Sequence, residues 1–182
     1  NNTYEVIVTG NDGANSTVKT ITVTVNDLND NAPLISNNAA QTVAENSTMV
    51  AALTTTDSDN VGTNPATFAI TGGADSGLFS VVGGNLQFIT APNYETDAHI
   101  YEVQVTANDG ANSTVKTITV TVNDLNDNAP VISTNAAQSV NENSAFSVAL
   151  GSTDADTVGT NPATFAISGG ADSALFRIVL GS

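Results

Sequence analysis

The sequence predicts an all-β chain of tandem seven-stranded Greek-key sandwiches. Three observations predict it: a 97-residue repeat, apolar and polar residues alternating with a period of two, and turn residues at strand-length spacing. Residues 4–33 return as residues 101–130 with two changes, Ile7 to Gln104 and Gly10 to Ala107. Residues 56–79 return as 153–176 at the same offset of 97. A unit of that length has the size of an immunoglobulin-like sandwich and is too long for one turn of a solenoid.

Within a unit the strands follow from the alternation. Tyr101, Val103, Val105 and Ala107 alternate with Glu102, Gln104 and Thr106, as in a half-buried strand. Residues 113–123 read alike, with Ile118, Val120 and Val122 inward; the step from Val115 to Ile118 breaks parity and is read as a bulge or an edge contact. Asn108-Asp109-Gly110 supplies the turn between these strands, and Gly83-Gly84-Asn85 the turn of an earlier pair. Shorter strands are expected at 42–46, 48–53, 67–71, 78–82 and 86–90, and no stretch carries a sustained helical period.

The repeat divides the chain into the C-terminal part of a unit (1–33), a complete unit (34–130) and the N-terminal part of another (131–182). Neither end piece is long enough to bury a core unaided. The ends are therefore expected either to be fragments of cut repeats or to complete one another between copies, head to tail. The chain starts within a repeat, so the lack of a leader says nothing of export.

Charge narrows the partners. With 18 acids against three cations the formal charge is −15, a field that repels nucleic acid and anionic membrane surfaces. The 40 % hydrophobic content separates the chain from disordered acidic tails. There is no cysteine for a disulfide framework, and no apolar run of membrane-spanning length.

Thirteen of the 18 acids sit in short motifs that recur with the repeat, so they mark a site rather than a solvated face. In the complete unit they are Glu45, Asp57, Asp59, Glu95, Asp109, Asp124 and Asp127; the copies are Asp12, Asp27, Asp30, Glu142, Asp154 and Asp156. Clustered oxygen donors without histidine or cysteine favour a hard cation. Calcium, which takes six to eight oxygens in irregular geometry, suits ligands drawn from several loops better than magnesium does.

The run Asp124-Leu125-Asn126-Asp127-Asn128-Ala129-Pro130 resembles the inter-domain linker of the cadherin family. Glu45-Asn46, Asp57/Asp59 and the Asp109-Gly110 pair fall where that family places its other calcium motifs. The near-identical copies, the lack of cysteine and the Asn/Thr/Ala-rich composition look more like bacterial cadherin-like repeats than animal ones. The resemblance implies calcium between successive units. At the complete junction Glu45, Glu95, Asp124 and Asp127 would meet Asp154 and Asp156. Asn126 would ligate through its side chain, and Leu125 and Asn128 through backbone carbonyls. Asn64 and Asn161 would add a backbone oxygen each. Asn93 stands where the family usually has an acid, which implies a weaker outermost ion. Asp27, Asn29, Asp30 and Asn31 repeat the linker at the other end, facing Asp57 and Asp59. A composite unit built from two chain ends would lack the counterpart of residues 86–97. Its junction, with Glu142, Asp27 and Asp30 facing Asp57 and Asp59, is expected to be the weaker one.

Other chemistries fare worse. Asp57-Ser58-Asp59 opens like an EF-hand loop, but Phe68 stands where the bidentate glutamate belongs. Glu95 and Glu102 do not make a glycosidase pair, because Glu102 alternates outward on a strand. His99, the one histidine, does not recur and reads as a loop residue, and no nucleophile–base pair can be assembled. The expected role is a non-enzymatic, calcium-rigidified structural or adhesive module of a bacterial surface or secreted fibre, joined to neighbouring repeats or copies of itself. The alternative is a carbohydrate-binding repeat of a polysaccharide-degrading or matrix protein. With 5 % aromatic residues, the chain offers little for sugars to stack on.

Overall fold

The computed structural model describes residues 2–63, 65–160 and 162–179; Asn64 and Asn161, expected to lend backbone oxygens, lie outside them. The two long strands of the central unit are β10 (Ile100–Asn108) and β11 (Ser113–Asn123), paired antiparallel from Asn108 opposite Ser113 to Ile100 opposite Thr121. β11 has the bounds that its alternation predicts. Its inward residues Ile118, Val120 and Val122 are buried, as are Val103, Val105 and Ala107 across from them.

The remaining strands of this unit are β3 (Leu34–Ile35), β4 (Ala40–Ala44), β5 (Met49–Ala52), β6 (Thr55–Thr56), β7 (Thr67–Gly72), β8 (Phe79–Val82) and β9 (Asn85–Phe88). One sheet has the order β4-β11-β10-β7 and the other β5-β9-β8, with β3 paired to β6 at the margin. β4 lies parallel to β11, the early strand returning beside the last, and the other pairs of the unit are antiparallel. This is an all-β Greek-key sandwich. Its core joins both sheets, with the Phe79 and Phe88 rings 4.3 Å apart and Tyr101 edge-on to Phe88 at 5.1 Å. The two-residue turn at Gly83-Gly84, both at positive φ, sets the β8–β9 register with Val82 opposite Asn85.

Of the two readings of the β11 parity break, a bulge or an edge contact, the bulge is overturned. The step from Val115 to Ile118 is not a bulge: β11 pairs with β10 without interruption, Val115 points outward and is 56 % exposed. Lys116 takes the inward position at the margin of the core, and its Nζ donates to the Ile35 carbonyl at 3.1 Å and to that of Asn37. The ammonium caps these two carbonyls, so a cation occupies an inward row without being buried unpaired. The register shifts fall elsewhere, at Gln104/Val105 against β7 and at Met49/Ala51 against β9. Beside the first, Gly73 (φ +101) approaches β10 so closely that a Cβ would lie 2.5 Å from Val103 Cα.

The flanking segments repeat this architecture in part. β1 (Thr3–Asn11) and β2 (Ser16–Thr24) form a hairpin with the register of β10–β11, Tyr4 opposite Val23 as Tyr101 is opposite Val120. Its inner face is open to solvent, because among the described residues no second sheet lies over it. In the C-terminal segment, β12 (Val131–Ile132) pairs with β13 (Ser152–Thr153), as β3 pairs with β6. Residues 137–141 and 146–149, counterparts of β4 and β5, are not strands. In the central unit those strands bond to β11 and β9, for which the described part of the segment offers no partner.

The two hairpins provide an internal control on core energetics. Ile118 is 0 % exposed and its copy Ile21 is 42 % exposed. Ile118→Ala is expected to cost about 2–5 kcal/mol, and Ile21→Ala under about 1 kcal/mol in the dilute, calcium-free chain. Urea unfolding of the two variants checks this; equal losses would contradict the placement of the core.

Candidate metal centre

Acidic side chains gather at both ends of the central sandwich. At the end where β4 and β11 terminate, Glu45 is fully buried one residue past β4. Its Oε1 accepts from the Leu125 N–H and its Oε2 from the Tyr94 N–H, both at 2.8 Å, so it ties the linker to the loop before β10. Asn46 adopts a left-handed conformation (φ 61°), and its Nδ2 donates to Asp127 Oδ2 at 2.6 Å. Across the linker, Asn128 donates through its backbone N–H to Asp156 Oδ2 at 3.0 Å and through Nδ2 to Asp156 Oδ1 at 2.7 Å. Asp156 is itself buried, and its N–H bonds Asp154 Oδ1 at 3.3 Å.

Glu95 stands between these groups. One of its carboxylate oxygens belongs to a set with Glu45 and Asp124, and one to a set with Asp127 and Asp156; within each set the oxygens lie within 4.8 Å of one another. Both Glu95 oxygens and Asp124 Oδ1 are shielded from solvent without a hydrogen-bond partner. The other Asp124 oxygen accepts from the Thr157 N–H at 2.5 Å and from its hydroxyl. An unpaired carboxylate among carboxylates is a costly arrangement unless a cation balances it. The residue's own backbone N–H lies near enough to favour the charged form without making a hydrogen bond, but desolvation and the charges of Glu45, Asp127 and Asp124 outweigh it, and the net shift is upward. Asp124 moves the other way, chiefly because the Thr157 hydroxyl bonds its charged form.

At the opposite end the linker copy faces the β10–β11 turn. Asn31 bonds both oxygens of Asp59, at 2.8 Å through its N–H and 2.6 Å through Nδ2, and Asp27 Oδ2 accepts the Asn60 N–H at 2.7 Å. Asp57 Oδ1 accepts the Asp59 N–H at 3.1 Å, and Asp30 Oδ1 accepts from Asn31 Nδ2 at 3.0 Å. Asp109 is buried, and the N–H groups of Asn112 and Ala111, bonding its Oδ1 at 2.7 and 2.8 Å, hold its pKa below the usual value. The Asn29 side chain lies on Gly62 (φ +100), where a Cβ would come within 2.5 Å of its Nδ2. Its amide oxygen lies 3.0 Å from Asp109 Oδ2 and 3.3 Å from Asp59 Oδ2. With the amide turned over, Nδ2 donates to both; with the oxygen forward, three oxygens converge with no hydrogen between them, as around a cation.

Thus the expected residues Glu45, Glu95, Asp124, Asp127 and Asp156 converge at one end, with Asn128 and Asp154 bonded to Asp156, while Asn126 rests on Gly159. Asp57, Asp59 and Asp109 gather with Asn29, Asn31, Asp27 and Asp30 at the other. Asp12 sits apart at the tip of the β1–β2 hairpin, and Glu142 is exposed and in neither carboxylate set. Asn46 belongs to the Glu45-Asn46 motif, whereas Asn112 and Thr157 are contributors that the sequence reading missed. Asn112 Nδ2 donates to the Asn29 carbonyl at 3.1 Å. Thr157 replaces Asn60 in the repeat, and both donate a backbone N–H, to which Thr157 adds its hydroxyl.

No known family profile matches the chain. It is 36 % identical over 122 residues to Protein dachsous of Drosophila melanogaster, covering 62 % of this chain and 3 % of that protein. It is 31 % identical over 137 residues to Protocadherin Fat 4 of Mus musculus, covering 71 % of this chain and again 3 % of the relative. Among solved structures it is similar to the Protocadherin gammaB7 EC3-6 cis-dimer structure, with a TM-score of 0.66 and 26 % identity over 86 % of this chain and 43 % of that one. The chain therefore spans a small fraction of the curated relatives' length. In sequence and in fold the chain is thus similar to repeats of cadherin proteins.

Proposed function

We propose that the chain is a calcium-rigidified structural and adhesive module of an extracellular protein, of the bacterial surface or secreted-fibre type, and not an enzyme. Residues 34–130 are read as its complete repeat, with 1–33 and 131–182 as parts of neighbouring ones that join further repeats or copies head to tail. The observation that carries the reading is Glu95, whose two oxygens are shielded and unpaired inside a ring of carboxylates.

The donor set fits the ion: oxygen ligands from several loops, some already oriented by backbone N–H groups. When bound, calcium supplies a compact positive charge that neutralises clustered carboxylates. Glu45, Glu95, Asp124 and Asp127 would hold it from the central unit, and Asp154 and Asp156 from the next. Asp27, Asn29, Asp30, Asp57, Asp59 and Asp109 would do so at the other junction. Loops held in common restrict the angle between successive units, and a row of such junctions transmits tension as a rod. Sugar binding finds less support: Tyr94 has one ring face stacked on His99 at 3.7 Å.

Calorimetric calcium titration of the chain and of Glu95→Gln tests the reading. Removing one carboxylate from both sets is expected to weaken calcium by about tenfold or more. The same change is expected to raise the melting temperature of the calcium-free chain, because it removes an unpaired shielded charge. No heat of binding in the parent chain, or an unchanged affinity in the variant, would contradict it.

A further inference from the structure

We propose that the cavity walled by Asp75, Asp97 and Tyr101 receives the side-chain ammonium of a lysine on a partner protein, with the lysine stem laid along Leu78 and Ile89. The site uses none of the carboxylates assigned to the metal centre, so it goes beyond the calcium reading and adds a partner contact.

The cavity lies in the central unit, between the 75–78 turn, the end of β9 and the loop that leads into β10. Its volume is about 470 Å³, the size of a small-ligand site. Phe88 and Pro92 form a buried floor, and Tyr101, only 5 % exposed, brings its phenol to the wall. The Tyr101 ring is held edge-on to Phe79 and Phe88, at 6.2 and 5.1 Å, which fixes where the hydroxyl points. That hydroxyl has no hydrogen-bond partner among the described residues, because the nearby carboxylates bond elsewhere. Burial, with the charges of Asp97 and Asp75 beside it, raises the phenol's pKa and keeps it neutral. A buried polar group that faces two carboxylates and bonds neither marks an unfilled site.

Both carboxylates are held in place. Asp75 clamps β10 just beyond its last pair with β7: its N–H donates to the Glu102 carbonyl at 3.0 Å, and its Oδ2 accepts the Glu102 N–H at 2.8 Å. Asp97 closes a turn with Asn93. Its Oδ2 accepts the Asn93 N–H at 2.8 Å, and its own N–H donates to the Asn93 carbonyl at 2.9 Å. Each residue thus spends one oxygen on the backbone and leaves Oδ1 without a protein donor. Among the described residues no lysine or arginine pairs with either; Lys116 is bound to the Ile35 and Asn37 carbonyls.

Three acceptors therefore surround one space, two carboxylate oxygens and a phenol oxygen. An ammonium carries three donors in a tetrahedral fan and matches them, whereas a guanidinium is planar. The rim selects the rest of the ligand. Leu78 and Ile89 are 48 and 62 % exposed, and the Ile89 N–H bonds the Leu78 carbonyl at 2.8 Å, so they make a fixed apolar ledge at the mouth. A four-carbon stem covers such a ledge while its charged head reaches the acceptors. The formal charge of −15 draws a basic protein surface toward the chain and sets the sign of the partner.

Isotope-edited NMR of the 182-residue chain tests this, with a blocked Gly-Lys-Gly tripeptide as the probe. Saturating calcium is present throughout, so that the ammonium does not compete at the metal centre. Saturable shifts are expected at the amides of Leu78, Ile89 and Tyr101, with a dissociation constant on the order of millimolar. Tyr101→Phe, which keeps the ring packing, should weaken binding about fivefold. Asp97→Asn, which keeps an oxygen for the Asn93 N–H, should weaken it about tenfold. Acetylating the lysine Nε should abolish the shifts, and a Gly-Arg-Gly peptide should bind about fivefold more weakly. No saturable shift around the cavity, or an affinity that either substitution leaves unchanged, would overturn the inference. Equal binding by the acetylated or the arginine peptide would also overturn it. Tighter binding by n-butylammonium than by the peptide would assign the cavity to a free amine and overturn the protein partner. None of these outcomes touches the calcium reading, which the calorimetric titration tests separately.

Discussion

Calcium is expected to raise the melting temperature of the chain by about 5–10 °C for each site it fills at a hundred times its dissociation constant, and magnesium to do much less. The magnitude follows from linkage, about 2.7 kcal/mol at that saturation, and from the few degrees that each kcal/mol is worth in a chain of this size. The direction follows from Glu95: without a cation its shielded oxygens face Glu45, Asp124, Asp127 and Asp156 unpaired. Ordering of the linkers should also protect the segments around Asp27 and Asp124 from proteolysis. The preference over magnesium comes from the donor set, which draws on several loops and offers no rigid octahedron. Scanning calorimetry with each ion checks it; equal protection by both, or by neither, would contradict the calcium assignment.

The second large effect concerns the junction rather than the fold. Asp124→Ala together with Asp127→Ala should free the angle between the central unit and the C-terminal segment, while leaving the sandwich folded. Both residues lie past Val122, the last buried position of β11, and neither contributes to the apolar core. Asp127 accepts from Asn46 and Asn128, and Asp124 from Thr157, so the double change removes contacts that tie the linker to Asn46 on one side and Thr157 on the other. Small-angle scattering in calcium should show a broadened distance distribution for the variant. Far-ultraviolet circular dichroism should remain that of the parent. An unchanged scattering profile would mean that the linker is stiff without these carboxylates.

The long strands were legible in the sequence because the pleat enforces a period of two wherever one face is buried. β11 runs over the residues that its alternation marks, and the Asn108-Asp109-Gly110 turn sits where positive φ is required, at Gly110. The short pair β3–β6 was not legible, since two residues carry no period. Val115 misleads because an apolar side chain does not by itself fix direction; its pairing with Thr106 shows that it lies on the outer face. The C-terminal segment marks a different limit. Residues 137–149 repeat the β4–β5 region in sequence, yet strands need partners, and pattern alone supplies none.

The acidic residues were legible as a set because they recur together in loops. What the sequence could not convey is which carboxylate is left unpaired. Glu45 spends both oxygens on backbone N–H groups, whereas Glu95 spends neither. Only the fold, which brings the 93–97 loop to the linker, distinguishes the two. Asn60 was hidden for the complementary reason, since it acts through the main chain, which has the same N–H whatever the side chain.

The most direct measurement is a crystal structure of the chain grown in calcium, with anomalous data to locate the ions. The account predicts an anomalous peak inside the ring of Glu45, Glu95 and Asp124, and another beside Asp127 and Asp156, with oxygens at about 2.3–2.6 Å. Density without ions in saturating calcium, with the Glu95 oxygens instead bonded to water, would contradict it.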